Sequence, residues 1–206
     1  STQLEHIWDQ LTMAYEYNVK DIWVINVGDI KPLEMELNYC MDLAYDMDQW
    51  GQMNTAKTYR EEWLQKQLGG KENCPDDIAK GIAECTANFL KISTYRKPEY
   101  VTSKLYSTTN YNEIQEVLNL CLKTIEQADY YYDNYFRGTE WDDAYYQLVY
   151  YQAVGTANVT KMQICKALSD FYAEQKSSLA NVYSDLVDDC VLNDKDLTDY
   201  YNNDMS

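Results

Sequence analysis

The sequence predicts a mainly α chain: an antiparallel helical bundle preceded by one α-β-α unit of the kind that ends a (β/α) barrel. Three observations predict it. Only 7 Gly and 3 Pro punctuate 206 residues, which favours long helices over turn-rich β structure. Most of the chain places apolar residues at helical spacing. One stretch, Ile22-Trp23-Val24-Ile25 followed by Val27, is instead a near-continuous β-branched run, too short for a helix and bounded by turn formers. Such a run reads as a strand buried on both faces in a parallel sheet.

Taken in order, Gln3 to Tyr17 carries Leu4, Ile7, Trp8, Leu11, Ala14 and Tyr15 on one face, with Asn18 suited to the left-handed residue that ends a helix. The strand follows, and a helix from about Glu36 to Asp46 should turn Leu37, Cys40, Met41 and Ala44 inward. A buried parallel strand needs neighbours, so its partners are expected in chain outside this sequence. The expected domains are therefore 1–50, a C-terminal α-β-α piece of a barrel, and 51–206, a helical bundle.

Within the bundle, Asn54 or Thr55 can open a helix that stops at Gly69-Gly70. Pro75-Asp76-Asp77 suits the first turn of the next, which should end before Arg96-Lys97-Pro98. Val101 to Thr109 reads as a loop. Asn110 or Asn112 then starts a long helix toward Phe136-Arg137-Gly138. Thr139 caps another, Glu140 to about Gln175, in which Gly155 marks a kink or a close helix contact. The last helix opens near Ser177 or Ser178, and an Asn-Asp break should separate a short final segment, Lys195 to Tyr201. Short connections between long helices imply antiparallel neighbours.

Composition excludes several functions. A net charge of −17 argues against nucleic acid and against an anionic membrane surface as partners. No apolar run approaches the length of a membrane span. The sequence starts inside a helical pattern without a signal peptide, and the compartment is left open among cytoplasm, periplasm and exterior. Cys40, Cys74, Cys85, Cys121, Cys165 and Cys190 form no CxxC pair and read as small buried hydrophobes in a reduced setting. With a single histidine, His6, on the polar side of its helix, neither a metal site nor a cofactor is expected.

Chemistry concentrates in few places. Asn26, Gly28 and Asp29 stand where the strand ends, the position of working residues in α/β barrels. Asn26 and Asp29 either satisfy local backbone or face a pocket at the barrel mouth. Paired carboxylates at Glu61-Glu62, Asp76-Asp77, Asp142-Asp143 and Asp188-Asp189 read as solvated faces or helix starts. Tyrosines cluster at Tyr130-Tyr131-Tyr132, Tyr135, Tyr145-Tyr146, Tyr150-Tyr151 and Tyr200-Tyr201. They read first as inter-helix packing, and more sharply as a platform for stacking sugars.

The segment IWVINVGDIKPLE (Ile22 to Glu34), preceded by MAYEY (Met13 to Tyr17), resembles the late barrel segment of glycoside hydrolase family 115, the xylan α-1,2-glucuronidases. The resemblance continues at RKPE (Arg96 to Glu99), NYNEIQEVL (Asn110 to Leu118), AYYQLVYYQAVGTAN (Ala144 to Asn158), FYAEQ (Phe171 to Gln175) and LTDYYN near the end. It implies a multidomain parent that removes glucuronic acid or its 4-O-methyl form from xylan with inversion. It also implies that Asn26, in the NVGD motif, contacts substrate; Asp29 and Lys31 match the same motif and serve substrate or only the loop. The general acid and its partner residues are then expected upstream of Ser1, and no catalytic residue within this chain. The implied partners are the rest of the parent chain and glucuronoxylan or its oligosaccharides, with a homodimer allowed. The alternative reading is a free-standing helical module that binds a partner or carbohydrate without catalysis.

Overall fold

The computed structural model describes residues 2–203, which form two compact units, Ser1–Leu90 and Lys91–Ser206. Among the described residues the secondary structure is helical, with no strand. The mainly α bundle expected from the spacing is therefore what forms.

In the first unit, α1 (Leu4–Glu16), α2 (Glu34–Tyr45) and α3 (Thr55–Gln67) pack on one another. α1 ends as its sequence requires. Asn18 takes a left-handed φ of 67°, Asn18 N–H donates to Tyr15 O and Val19 N–H to Ala14 O, both at 3.0 Å. These two bonds satisfy carbonyls that the helix end leaves open. α2 begins two residues earlier than the spacing suggests and buries a different face. Met35, Tyr39, Cys40 and Leu43 are covered, Leu37 is only partly covered, and Met41 and Ala44 are exposed. The aromatic partner decides this register: the Tyr39 ring lies 4.7 Å from that of Tyr59 on α3, centroid to centroid.

Polar contacts tie the same helices together. Tyr59 donates to Asp42, Trp63 to Asn38 at 3.1 Å, and Trp8 to the carbonyl of Gly51 at 3.0 Å. Arg60, only 3% exposed, meets Glu5 at 2.6 Å. The expected boundary at residue 50 lies inside this unit, and these bonds cross it.

α4 (Asp76–Tyr95) starts one residue after Pro75 with two acids in its first turn, as the dipole favours. It ends just before Arg96-Lys97-Pro98. The second unit continues through a loop into α5 (Glu113–Tyr131), which passes directly into a π-helical turn, Tyr132–Phe136. Gly138, at φ 73°, reverses the chain. A short helix, Asp142–Tyr145, leads into a second π-helical turn, Tyr146–Tyr150, and then into α6 (Tyr151–Glu174). Lys176, left-handed at φ 56°, ends α6 in the same two-bond manner, with Lys176 N–H on Ala173 O and Ser177 N–H on Tyr172 O. α7 (Leu179–Asn203) returns along α6, which also packs on α5.

Two expectations for these helices are corrected. The irregularity in the Glu140–Gln175 region is the π turn at Tyr146–Tyr150, and a Cβ at Gly155 would meet nothing within 4 Å. α7 runs unbroken through Asn193-Asp194. Its exposed polar residues there cost no burial, and the buried Cys190 and Leu197 anchor both sides. The core of this unit joins Ile92, Ile114, Val117, Leu118, Cys121, Ala157, Ile164, Ala167 and Leu168.

Candidate functional site

The segment that should have been a strand is an extended connection between α1 and α2. Residues Ile22 to Val27 make no ladder hydrogen bonds, and Ile22 and Val24 are 76% and 89% exposed. The physical reason is the absence of a pairing edge: the described residues contain no other strand to offer one. Local ties are Trp23 Nε1–H to Val19 O at 2.6 Å and the Lys20 ammonium over the Tyr15 ring at 4.2 Å. Asn26, Asp29 and Lys31 are all exposed, and their side chains make no hydrogen bond or ion pair among the described residues. The segment closes in a turn where Leu33 N–H donates to Ile30 O at 2.6 Å, just past a cis Lys31-Pro32 bond. These three residues thus share one exposed stretch. His6 is exposed, as its helix face predicts.

The tyrosine clusters build a second feature, and here the sequence reading falls short in a definable way. The spacing shows tyrosines on helices, but two π turns, each inserting an extra residue per turn, aim them. Tyr132 from the first π turn and Tyr146 and Tyr150 from the second converge with Tyr200 of α7 on a cavity of about 370 Å³. The Tyr146 and Tyr200 rings are 4.7 Å apart at 53°, and Tyr132 and Tyr150 4.8 Å apart at 38°. Ion-bearing side chains complete the wall: Asp129, Arg137, Lys161 and Asp196.

Most polar atoms here are already assigned. Tyr132 donates to Asp142 Oδ1 at 2.6 Å, and Asp142 Oδ2 accepts the Gly138 N–H, which fixes the hairpin tip. Tyr150 donates to Asp129 Oδ1 at 2.8 Å. Tyr146 donates to Leu197 O at 3.1 Å and Asn158 to Cys190 O at 2.8 Å, which lock α6 to α7. Arg137 lies 4.5 Å over the Tyr132 ring and pairs with Asp133 at 2.8 Å. Burial pushes the phenols of Tyr132 and Tyr150 up, and that of Tyr146 to about 12, so all three stay protonated donors at neutral pH. Burial also raises the Asp129 carboxyl, against the opposing hydrogen bond from Tyr150.

All six cysteines are buried, as expected. Burial raises the Cys121 thiol to about 12 and the Cys165 thiol to about 11, so neither is a nucleophile. No group of His, Cys, Asp and Glu among the described residues could hold a metal ion. Among the described residues no helix is long and apolar enough to cross a membrane. The cavity offers aromatic surface, hydrogen-bond donors and charges.

Residues 1–100 match the family model of Glycosyl hydrolase family 115. The similarity to this family covers 100 of the 206 residues and contains Ile22 to Glu34. The match stops at residue 100, so it takes in RKPE, while the later similar stretches, from Asn110 onward, lie outside it. No curated protein matches the chain.

Proposed function

We propose that this chain is the end of a catalytic barrel and the helical domain that follows it in a glycosidase that removes (4-O-methyl)glucuronic acid from xylan with inversion. The observation that carries this reading is the family match over residues 1–100, which includes the whole of IWVINVGDIKPLE. In that parent the fragment is structural, and its one contribution to the site is Asn26 at a strand end, with Asp29 and Lys31 beside it.

A barrel strand is expected to be buried, and the segment's own unit leaves much of it uncovered, so the reading requires neighbours from the rest of the parent. Ile22, Val24 and Ile30 are exposed, and the apolar stripe of α1 is fully covered only at Leu4. Contiguous apolar surface of this kind marks a place where another surface docks. A β-branched run gains most when neighbouring strands cover it. Asn26 suits substrate contact because its amide offers an acceptor and two donors without adding charge.

The test is direct. The chain alone should release no glucuronic acid from glucuronoxylan, since an exposed asparagine supplies neither the acid nor the base that hydrolysis requires. In a complete enzyme carrying this segment, Asn26→Ala should lower kcat/KM by about 10²-fold through lost positioning, with the thermal melt unchanged. Hydrolysis by the isolated chain, or unaltered kinetics in the variant, would overturn the assignment.

A further inference from the structure

We propose that the tyrosine-lined cavity of the second unit is a binding site for a single sugar unit bearing a carboxylate, with the Lys161 ammonium as its anion contact. This site is separate from Asn26. The saccharide class rests on the glycosidase reading above; the carboxylate rests on Lys161.

Size admits the ligand. About 370 Å³ lies within the roughly 300–1,000 Å³ typical of small-molecule clefts, toward the end suited to one ring. The half-exposed rings of Tyr150 and Tyr200 line the cavity and offer C–H-accepting faces. Asn193 and Asp196, one helical turn apart on α7, are exposed at its edge and can exchange hydrogen bonds with hydroxyls.

Charge selects within that class. Of the two cations on the wall, Arg137 is committed to Asp133 and to the Tyr132 ring. Lys161 makes no salt bridge among the described residues. The thiols of Cys121, Cys165 and Cys190 interact with it and are kept neutral by burial, and Asp129 of α5 and Asp196 of α7 share the cavity wall. Asp129 accepts a hydrogen bond from Tyr150. An ammonium in a cleft without a carboxylate partner favours an anionic group there. The chain's −17 charge opposes any anion at long range. At physiological salt that field is screened beyond about 8 Å, so a monoanion in direct contact with Lys161 gains more than it loses. A polyanion spread over the acidic surface would not.

The experiment is a calorimetric or NMR titration of the whole chain with glucuronate and, separately, glucose, which differ at C6 only. Glucuronate should bind about tenfold more tightly or better. Lys161→Gln should erase that preference while Lys161→Arg keeps it, and Tyr200→Ala should weaken both sugars. Lys161 and Tyr200 are partly exposed, so the fold should survive, as a melt will show. Equal binding of the two sugars overturns the carboxylate assignment. Absence of binding by either sugar to a folded chain at millimolar concentration overturns the site. The titration reads binding rather than turnover, so its failure is distinguishable from failure of the proposal for Asn26.

Discussion

Glu36 shows how one buried charge writes a pH dependence into the fold. It sits in the first turn of α2, is 8% exposed, and its carboxylate accepts a long bond of 3.4 Å from the Thr2 N–H. Burial raises its pKa above the ordinary 4.5, against the opposing backbone hydrogen bonds. The folded state therefore holds the proton more tightly than the unfolded chain. Stability from this group is present below 4.5 and is lost as pH rises through the folded pKa. Glu36→Gln should thus raise Tm at pH 7 and change it little at pH 4, in paired thermal melts. A variant equally stabilised at both values would show that packing, not charge, is responsible. Sequence alone places this acid at a favourable helix start, but it does not show the burial that reverses the balance. Asn26 is the opposite case. Its motif is legible in the sequence, while its isolation in the structure follows from a missing neighbour and not from its own chemistry.

Helices were legible wherever the chain itself supplies the stop. Asn18, Gly138 and Lys176 take left-handed conformations, and the Asn18 and Gly138 stops stand where composition placed them. The strand was not legible in this sense, because a strand is a pairing and Ile22 to Val27 has β propensity without an edge to pair with. The break expected at Asn193-Asp194 failed for the converse reason: weak local propensity is overridden by packing on both sides. Tertiary bonds hold α7 there, and they can be ranked. Asn158→Ala removes a buried donor from the Cys190 carbonyl and should cost about 1–3 kcal/mol. Tyr146→Phe removes only the hydroxyl bond to Leu197 and keeps the ring, so about 0.5–1.5 kcal/mol is expected. Urea melts of both variants check the order. Equal or inverted losses would mean that the ring packing of α7, and not these bonds, fixes its path.

At the scale of the whole chain, the two units differ in how they would respond to loss of the first fifty residues. α3 takes its partners from that stretch: Tyr59 uses Asp42, Trp63 uses Asn38, and Arg60 uses Glu5. Removing Glu5 alone would leave a nearly fully buried guanidinium without its carboxylate, the costly half of breaking a buried pair. The second unit draws its core from Ile92 onward, with α5, α6 and α7 burying apolar faces against one another. Helices gain most of their stability from such packing, so each unit should stand or fall with its own core. A chain truncated to Gln52–Ser206 should therefore lose amide protection across Thr55–Gln67 while keeping it across Glu113–Tyr131 and Tyr151–Glu174. Hydrogen exchange read by mass spectrometry resolves these segments. Its remaining thermal transition should stay cooperative, because the core from Ile92 to Leu168 is intact. Protection retained throughout α3 would show that the bundle from residue 51 onward folds by itself. Loss of protection in α5 and α6 would show instead that their stability depends on the first unit.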